Sequence, residues 1–151
     1  MATSLQEALD GFGKPLRVVC VGAHPDDPEC GCGGTLARLK TVGHKVTIVY
    51  LTRGEAGIKK VNGLEAATIR THEAWEADKI LDASAVFAGQ VDGATIVSRE
   101  WIIKFTRLLH HIQPDLVFTH WPVDNHPDHQ VASLLTVQAW VKSQGKFAVR
   151  L

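Results

Sequence analysis

The sequence has no excess charge of either sign: Lys and Arg together number 16, and so do Asp and Glu. That balance excludes the basic footprint of a nucleic-acid binder and gives no electrostatic draw toward an anionic membrane. There is no apolar run approaching the roughly 20 residues that a membrane-spanning helix needs. The opening residues, MATSLQEALDGFGKP, lack the basic start and apolar stretch of a secretory leader. Cysteine is scarce. Cys20, Cys30 and Cys32 are too few, and odd in number, for a disulfide framework, so the expectation is reduced thiols in the cytoplasm. Repeats, low-complexity tracts and linkers are missing too. With 45% hydrophobic and 21% charged residues over 151 positions, the chain reads as one soluble domain, its core expected over residues 16–142. Histidine is plentiful by contrast, and two of the eight stand in His-Pro-Asp triplets at 24–26 and 126–128.

Strand-like and helix-like segments alternate. Leu16–Val21 and Lys45–Thr52 are short, apolar and rich in β-branched residues, as strands buried on both faces are. Ala85–Ala88, Leu116–Thr119 and Phe147–Leu151 read as further strands. Helices are expected from Gly33 to about Val42, from Glu65 to about Leu81, from a Ser98 cap to Pro114, and from Pro127 to about Val141. Residues 1–15 read as a loose lead-in. The alternation predicts an α/β fold with a mainly parallel sheet and helices on both faces. Ligands of such sheets bind beyond the carboxyl ends of the strands. There the chain keeps its chemistry: His24–Asp27 after the first strand, Arg53–Glu55 after the second, His120–His129 after the fourth.

A His followed three residues later by an Asp, on a loop stiffened by Pro25, can present a nitrogen and an oxygen to one metal. His126 or His129 is placed to complete a three-ligand set with one open position, the pattern of catalytic zinc. Asp26 need not coordinate and is the candidate base for an acidified water. In the second cluster one His is a ligand and the other an acid, with Asp128 orienting it. Arg53 is placed to meet a substrate hydroxyl or phosphate, or to form a surface ion pair. Arg70 and Glu73 read as an i, i+3 helix pair. Gly31, Gly33 and Gly34 fail the dinucleotide pattern, which would need Gly where Leu36 stands, so they are expected to pack the helix start closely against the sheet. Cys30 and Cys32 read as small, partly buried thiols. His120 either joins the site or bonds the loop, and Trp121 is placed to line the pocket.

These residues resemble the PIG-L/LmbE-like zinc-dependent de-N-acetylases. The resemblance runs from about Leu16 to about Ala139. Ala23-His24-Pro25-Asp26-Asp27, Gly33-Gly34-Thr35-Leu36, Thr52-Arg53-Gly54-Glu55 and His126-Pro127-Asp128-His129 carry it. It implies a Rossmann-like sheet without a dinucleotide. It implies one zinc per chain on His24, Asp27 and His129, a set that other divalent metals can also occupy. Asp26 would be the general base, His126 the acid or oxyanion stabiliser oriented by Asp128, and Arg53 a substrate contact. The implied reaction is hydrolysis of an N-acetyl group from an N-acetylglucosamine-type derivative, a small-molecule partner, with a homo-oligomer as a further expectation. Members of that family usually continue well past the last helix, so the chain reads as truncated at its C-terminus. Two rival readings stand beside this one. Asp124-x-His126-x-Asp128-His129 is one residue short of the H-x-H-x-D-H pattern of two-metal, metallo-β-lactamase-like hydrolases. The other rival is a catalytically inert metal-binding module.

Overall fold

Val18 and Cys20 face one side of the central strand and Val19 and Val21 the other, and all four are buried. A strand apolar on both faces must be covered on both, and the surrounding elements do this. The computed structural model describes residues 14–151, so the lead-in lies almost wholly outside it. The elements in order are β1 (Arg17–Gly22), α1 (Asp27–Thr41), β2 (Lys45–Tyr50), α2 (Gly63–Leu81), β3 (Ser84–Phe87), α3 (Arg99–Ile112), β4 (Leu116–Thr119), α4 (Pro127–Lys142) and β5 (Ala148–Arg150). The strands form one parallel sheet in the order β3-β2-β1-β4-β5. The α/β, Rossmann-like expectation holds. Leu36 and Leu39 of α1 and Ala74 of α2 pack on the Val18–Cys20 face. Phe105 and Leu109 of α3 and Leu135 and Ala139 of α4 pack on the Val19–Val21 face. Strand order reverses between β1 and β4, which opens a crevice at their carboxyl ends.

Two expectations need correction. The first helix begins at Asp27, six residues before Gly33, because Pro28 and the acidic Asp27 and Glu29 suit a first turn. Gly33 and Gly34 do not pack against the sheet: a Cβ at either would meet nothing within 4 Å. The close approach is at Gly22, where a Cβ would stand 2.6 Å from Cδ of Pro28. Since a proline ring cannot swing away, Gly22→Ala should push the first turn of α1, with Asp27 on it, off the sheet. We expect a stability loss of roughly 1–3 kcal/mol, measured by urea unfolding. An unchanged midpoint would show that the helix start yields freely.

Under α1 and α2 lies a polar knot in an apolar setting. The buried Tyr50 hydroxyl lies against Glu29 Oε1 and within 3.1 Å of Asp78 Oδ1. Oε2 of Glu29 and Oδ2 of Asp78 have no hydrogen-bond partner among the described residues. Burial pushes the Asp78 carboxyl up to about 6, against the pull of the Tyr50 bond, and Glu29 adds to the rise. A carboxyl with a raised folded-state pKa gives stability that is fully present below about pH 4 and is lost as pH rises through about 6. Asp78→Asn keeps an acceptor for Tyr50 and removes the titration. Its stability relative to the parent should therefore rise by about 1–3 kcal/mol between pH 4 and pH 8, and parallel stability–pH curves from urea unfolding would refute the assignment.

Candidate metal centre and active site

The turn after β1 sets Asp27, the first residue of α1, against three histidines, His24, His120 and His129. Asp27 Oδ2 accepts a 2.7 Å bond from the His24 backbone N–H and lies 3.2 Å from His24 Nδ1. Asp27 Oδ1 lies 3.3 Å from His129 Nε2. The far nitrogen of each of these histidines meets another carboxylate. His24 Nε2 is 3.0 Å from Asp128 Oδ2 and 3.2 Å from Asp92 Oδ1, and His129 Nδ1 is 3.2 Å from Asp124 Oδ2. Burial opposes charge on the His24 ring, but its bonds to Asp27 and Asp128, with Asp92 near, hold it at about 9. Burial likewise disfavours the Asp27 carboxylate, yet the adjoining His120 and His24 rings and the His24 backbone N–H hold it far below the usual carboxylate range.

His120 Nε2 accepts the Ala23 backbone N–H at 3.1 Å, so its lone pair is engaged although it lies 3.3 Å from Asp27 Oδ2. His126 caps α4, and its Nδ1 accepts the Asp128 backbone N–H at 3.2 Å. An accepting Nδ1 puts the neutral ring's proton on Nε2, the tautomer that can donate. Asp128 is buried. Its carboxylate accepts from Gly93 N at 2.8 Å and from Thr95 Oγ1 at 2.6 Å, and with the His24 contact these bonds outweigh burial and keep it ionised.

Beside this cluster opens a cavity of about 440 Å³ whose walls include His24, Asp26, Arg70, Asp92 and His126. Asp26 sits there at φ 96°, in the left-handed region, as the residue before α1. Arg70 of α2 reaches it with a 2.7 Å bond to Asp26 Oδ2, and also touches the Pro25 carbonyl. Gly54, at φ 72°, leaves room for that arm: a Cβ there would stand 3.2 Å from Arg70 Cβ and Cγ.

Residues 19–140 match the family model described as PIG-L, GlcNAc-PI de-N-acetylase. The chain belongs to the PIG-L family. A diacetylchitobiose deacetylase from Thermococcus kodakarensis is 30% identical over 134 residues, covering 85% of this chain and 50% of that protein. The structure of N,N'-diacetylchitobiose deacetylase from Pyrococcus horikoshii superposes with a TM-score of 0.81 at 29% identity, over 95% of this chain and 61% of that one. The 4-carboxy-2-hydroxymuconate hydratase GalB from Pseudomonas putida superposes with a TM-score of 0.79 at 25% identity, over 85% and 57% of the two chains. This chain spans about half the length of the curated relatives it matches. The two-metal, metallo-β-lactamase-like reading of residues 124–129 is set aside by this fold and family.

In this PIG-L chain His24, Asp26, Asp27, His126, Asp128 and His129 all meet at one sheet edge, as the motifs suggest. Arg53 does not reach the cavity walls. Its Nε donates to Thr71 Oγ1 at 3.1 Å, and the guanidinium on the wall is that of Arg70, which bonds Glu73 at 2.5 Å as expected but also holds Asp26. Trp121 is 59% exposed and is not part of the cavity wall. Asp128 orients His126 through its backbone N–H, while its carboxylate serves His24. The sequence reading missed Asp92, which follows β3. Its Oδ2 accepts from Ala56 N at 3.0 Å, and its own N–H donates to Glu55 Oε2 at 3.1 Å. An Asp-Gly pair reads as a turn. The available signal was position: in a parallel sheet the end of β3 shares an edge with the other strand ends.

The donor set fits a divalent cation. Five carboxylates, of Asp26, Asp27, Asp92, Asp124 and Asp128, gather around four imidazoles with Arg70 as the local guanidinium. Metal-binding histidines typically give their second nitrogen to a carboxylate, which fixes the tautomer. His24 and His129 are both held that way, by Asp128 and Asp124, with their other nitrogens turned to Asp27.

Proposed function

We propose that this site hydrolyses the N-acetyl group of an N-acetylglucosamine-type amino sugar derivative, with one zinc ion held by His24, Asp27 and His129. The carrying observation is the paired arrangement in which two histidines share Asp27 and each is backed by its own carboxylate. The chemistry supplied by a zinc ion held there is Lewis acidity, which polarises an amide carbonyl and acidifies water. Asp26, on the cavity wall, takes the proton of the attacking water. Arg70 occupies one of its two oxygens and fixes its direction. The His126 Nε2–H donates a hydrogen bond to the oxyanion of the tetrahedral intermediate, and the proton that Asp26 took from the water passes to the leaving amine. The products are acetate and the free amino sugar. Asp92, joined to Glu55 and Ala56 through the loop after β2, closes the far wall, where sugar hydroxyls would find acceptors.

The test is acetate release from a panel of N-acetylated sugars, beginning with diacetylchitobiose and N-acetylglucosaminyl inositol. Release is expected to stop with a chelator and to return with zinc. Zinc-loaded, folded protein that releases no acetate from any member would favour the inert metal-binding module. Water addition to a carbon–carbon double bond, the reaction named for the Pseudomonas protein, frees no acetate, so this assay separates the two reactions.

A further inference from the structure

The site leaves the segment Cys30–Gly34 unused. Gly31, Gly33 and Gly34 lie in open space, so close packing does not call for them. Between them Cys32 abandons helical geometry, with φ −148° and ψ 18°, and α1 is two helical pieces joined there. Across from it, on β1, the Sγ of the buried Cys20 lies 3.5 Å from the Cys32 Sγ. A cavity of about 260 Å³ runs along both cysteines, Gly31 and Phe118, and gives a small reagent a way in. A disulfide needs a sulfur separation of about 2.05 Å, so the two atoms must approach by about 1.5 Å. A kink bordered by three unpacked glycines can supply that movement at low cost.

We propose that Cys20 and Cys32 are a redox modification site that closes into a reversible intramolecular disulfide, tying β1 to the helix that carries Asp27. Cys32 is the attacking sulfur. It is half-buried on the cavity wall, and its contact with Cys20 holds its thiol below the ordinary value. Cys20 is pushed well above it, by that same contact and by burial. The co-reactant class is a low-molecular-weight disulfide. The Cys32 thiolate attacks one of its sulfurs, that S–S bond breaks, and one thiolate leaves. Cys20 then attacks the Cys32 sulfur, and the second external thiol departs with the Cys20 proton. One disulfide forms, one is consumed, two thiols are released, and two electrons pass from the protein to the reagent.

The experiment exposes the folded chain to excess oxidised glutathione, blocks the remaining thiols by alkylation, and reads masses. Of three thiols, the parent should close Cys20 and Cys32 into an internal bond that retains no glutathione, any adduct being confined to the exposed Cys30, and dithiothreitol should restore the thiols. Cys30→Ser, at an exposed position, should lose both of its thiols in the same way. Cys20→Ser should stop at a glutathione adduct on Cys32. A parent that keeps three free thiols would overturn the proposal, as would a stable adduct on Cys30→Ser. Internal oxidation of Cys20→Ser as complete as in the parent would also overturn it, by placing the bond between Cys30 and Cys32.

Discussion

Asp26→Asn is expected to cut acetate release by about 10²–10⁴-fold while the protein still retains zinc. Asparagine is the informative substitution because Asp26 sits at φ 96°, a left-handed conformation that Asn tolerates and that would strain Ala. The amide oxygen can still accept the Arg70 bond now made by Oδ2 at 2.7 Å, so the helix start and its anchor on α2 persist. What disappears is a group able to take a proton. Measuring kcat together with bound zinc divides the outcomes. A low rate with metal retained supports Asp26 as base. A rate equal to the parent's would remove it from that role and turn attention to Asp92, which lines the same cavity.

His129→Ala should abolish retained zinc after dialysis, and His120→Ala should leave it near the parent level of about one per chain. The two rings stack with centroids 4.0 Å apart, and both reach Asp27, so distance alone does not separate them. Hydrogen bonding does. The His120 Nε2 lone pair is engaged by the Ala23 N–H, whereas His129 is backed by Asp124 at Nδ1 and turns Nε2 toward Asp27. Removing His129 deletes a donor and leaves Asp27 and Asp124 facing each other across the gap. Metal analysis of both variants, beside the parent, is the measurement. Zinc lost with His120→Ala and kept with His129→Ala would transfer the ligand role to His120.

The motifs showed much of the site because local rules place them. Valine-rich runs make buried strands, and a polar His-Pro-Asp where such a run stops must lie at the sheet edge. Pro127 at the start of α4, with His126 as its cap, fixes His126 and His129 on one helix start. The glycine run misled for the same local reason. Gly33-Gly34 looks like a packing device and a helix start, yet Pro28 and two acids had already begun the helix, and the demanding contact falls on Gly22.

The sequence by itself therefore determined the alternation of strands and helices, and the meeting of His24, Asp26, Asp27, His126 and His129 at one edge. The tertiary structure decided the partners. Arg70 meets Asp26 across 44 residues, Asp128 meets His24 across 104, and Asp128 meets the loop of Asp92 and Gly93 across 35. Periodicity and capping act over a few residues and cannot specify such pairs. They follow from the strand order β3-β2-β1-β4-β5, which brings the ends of β3, β1 and β4 to one side and lets α2 reach across Gly54 to the base.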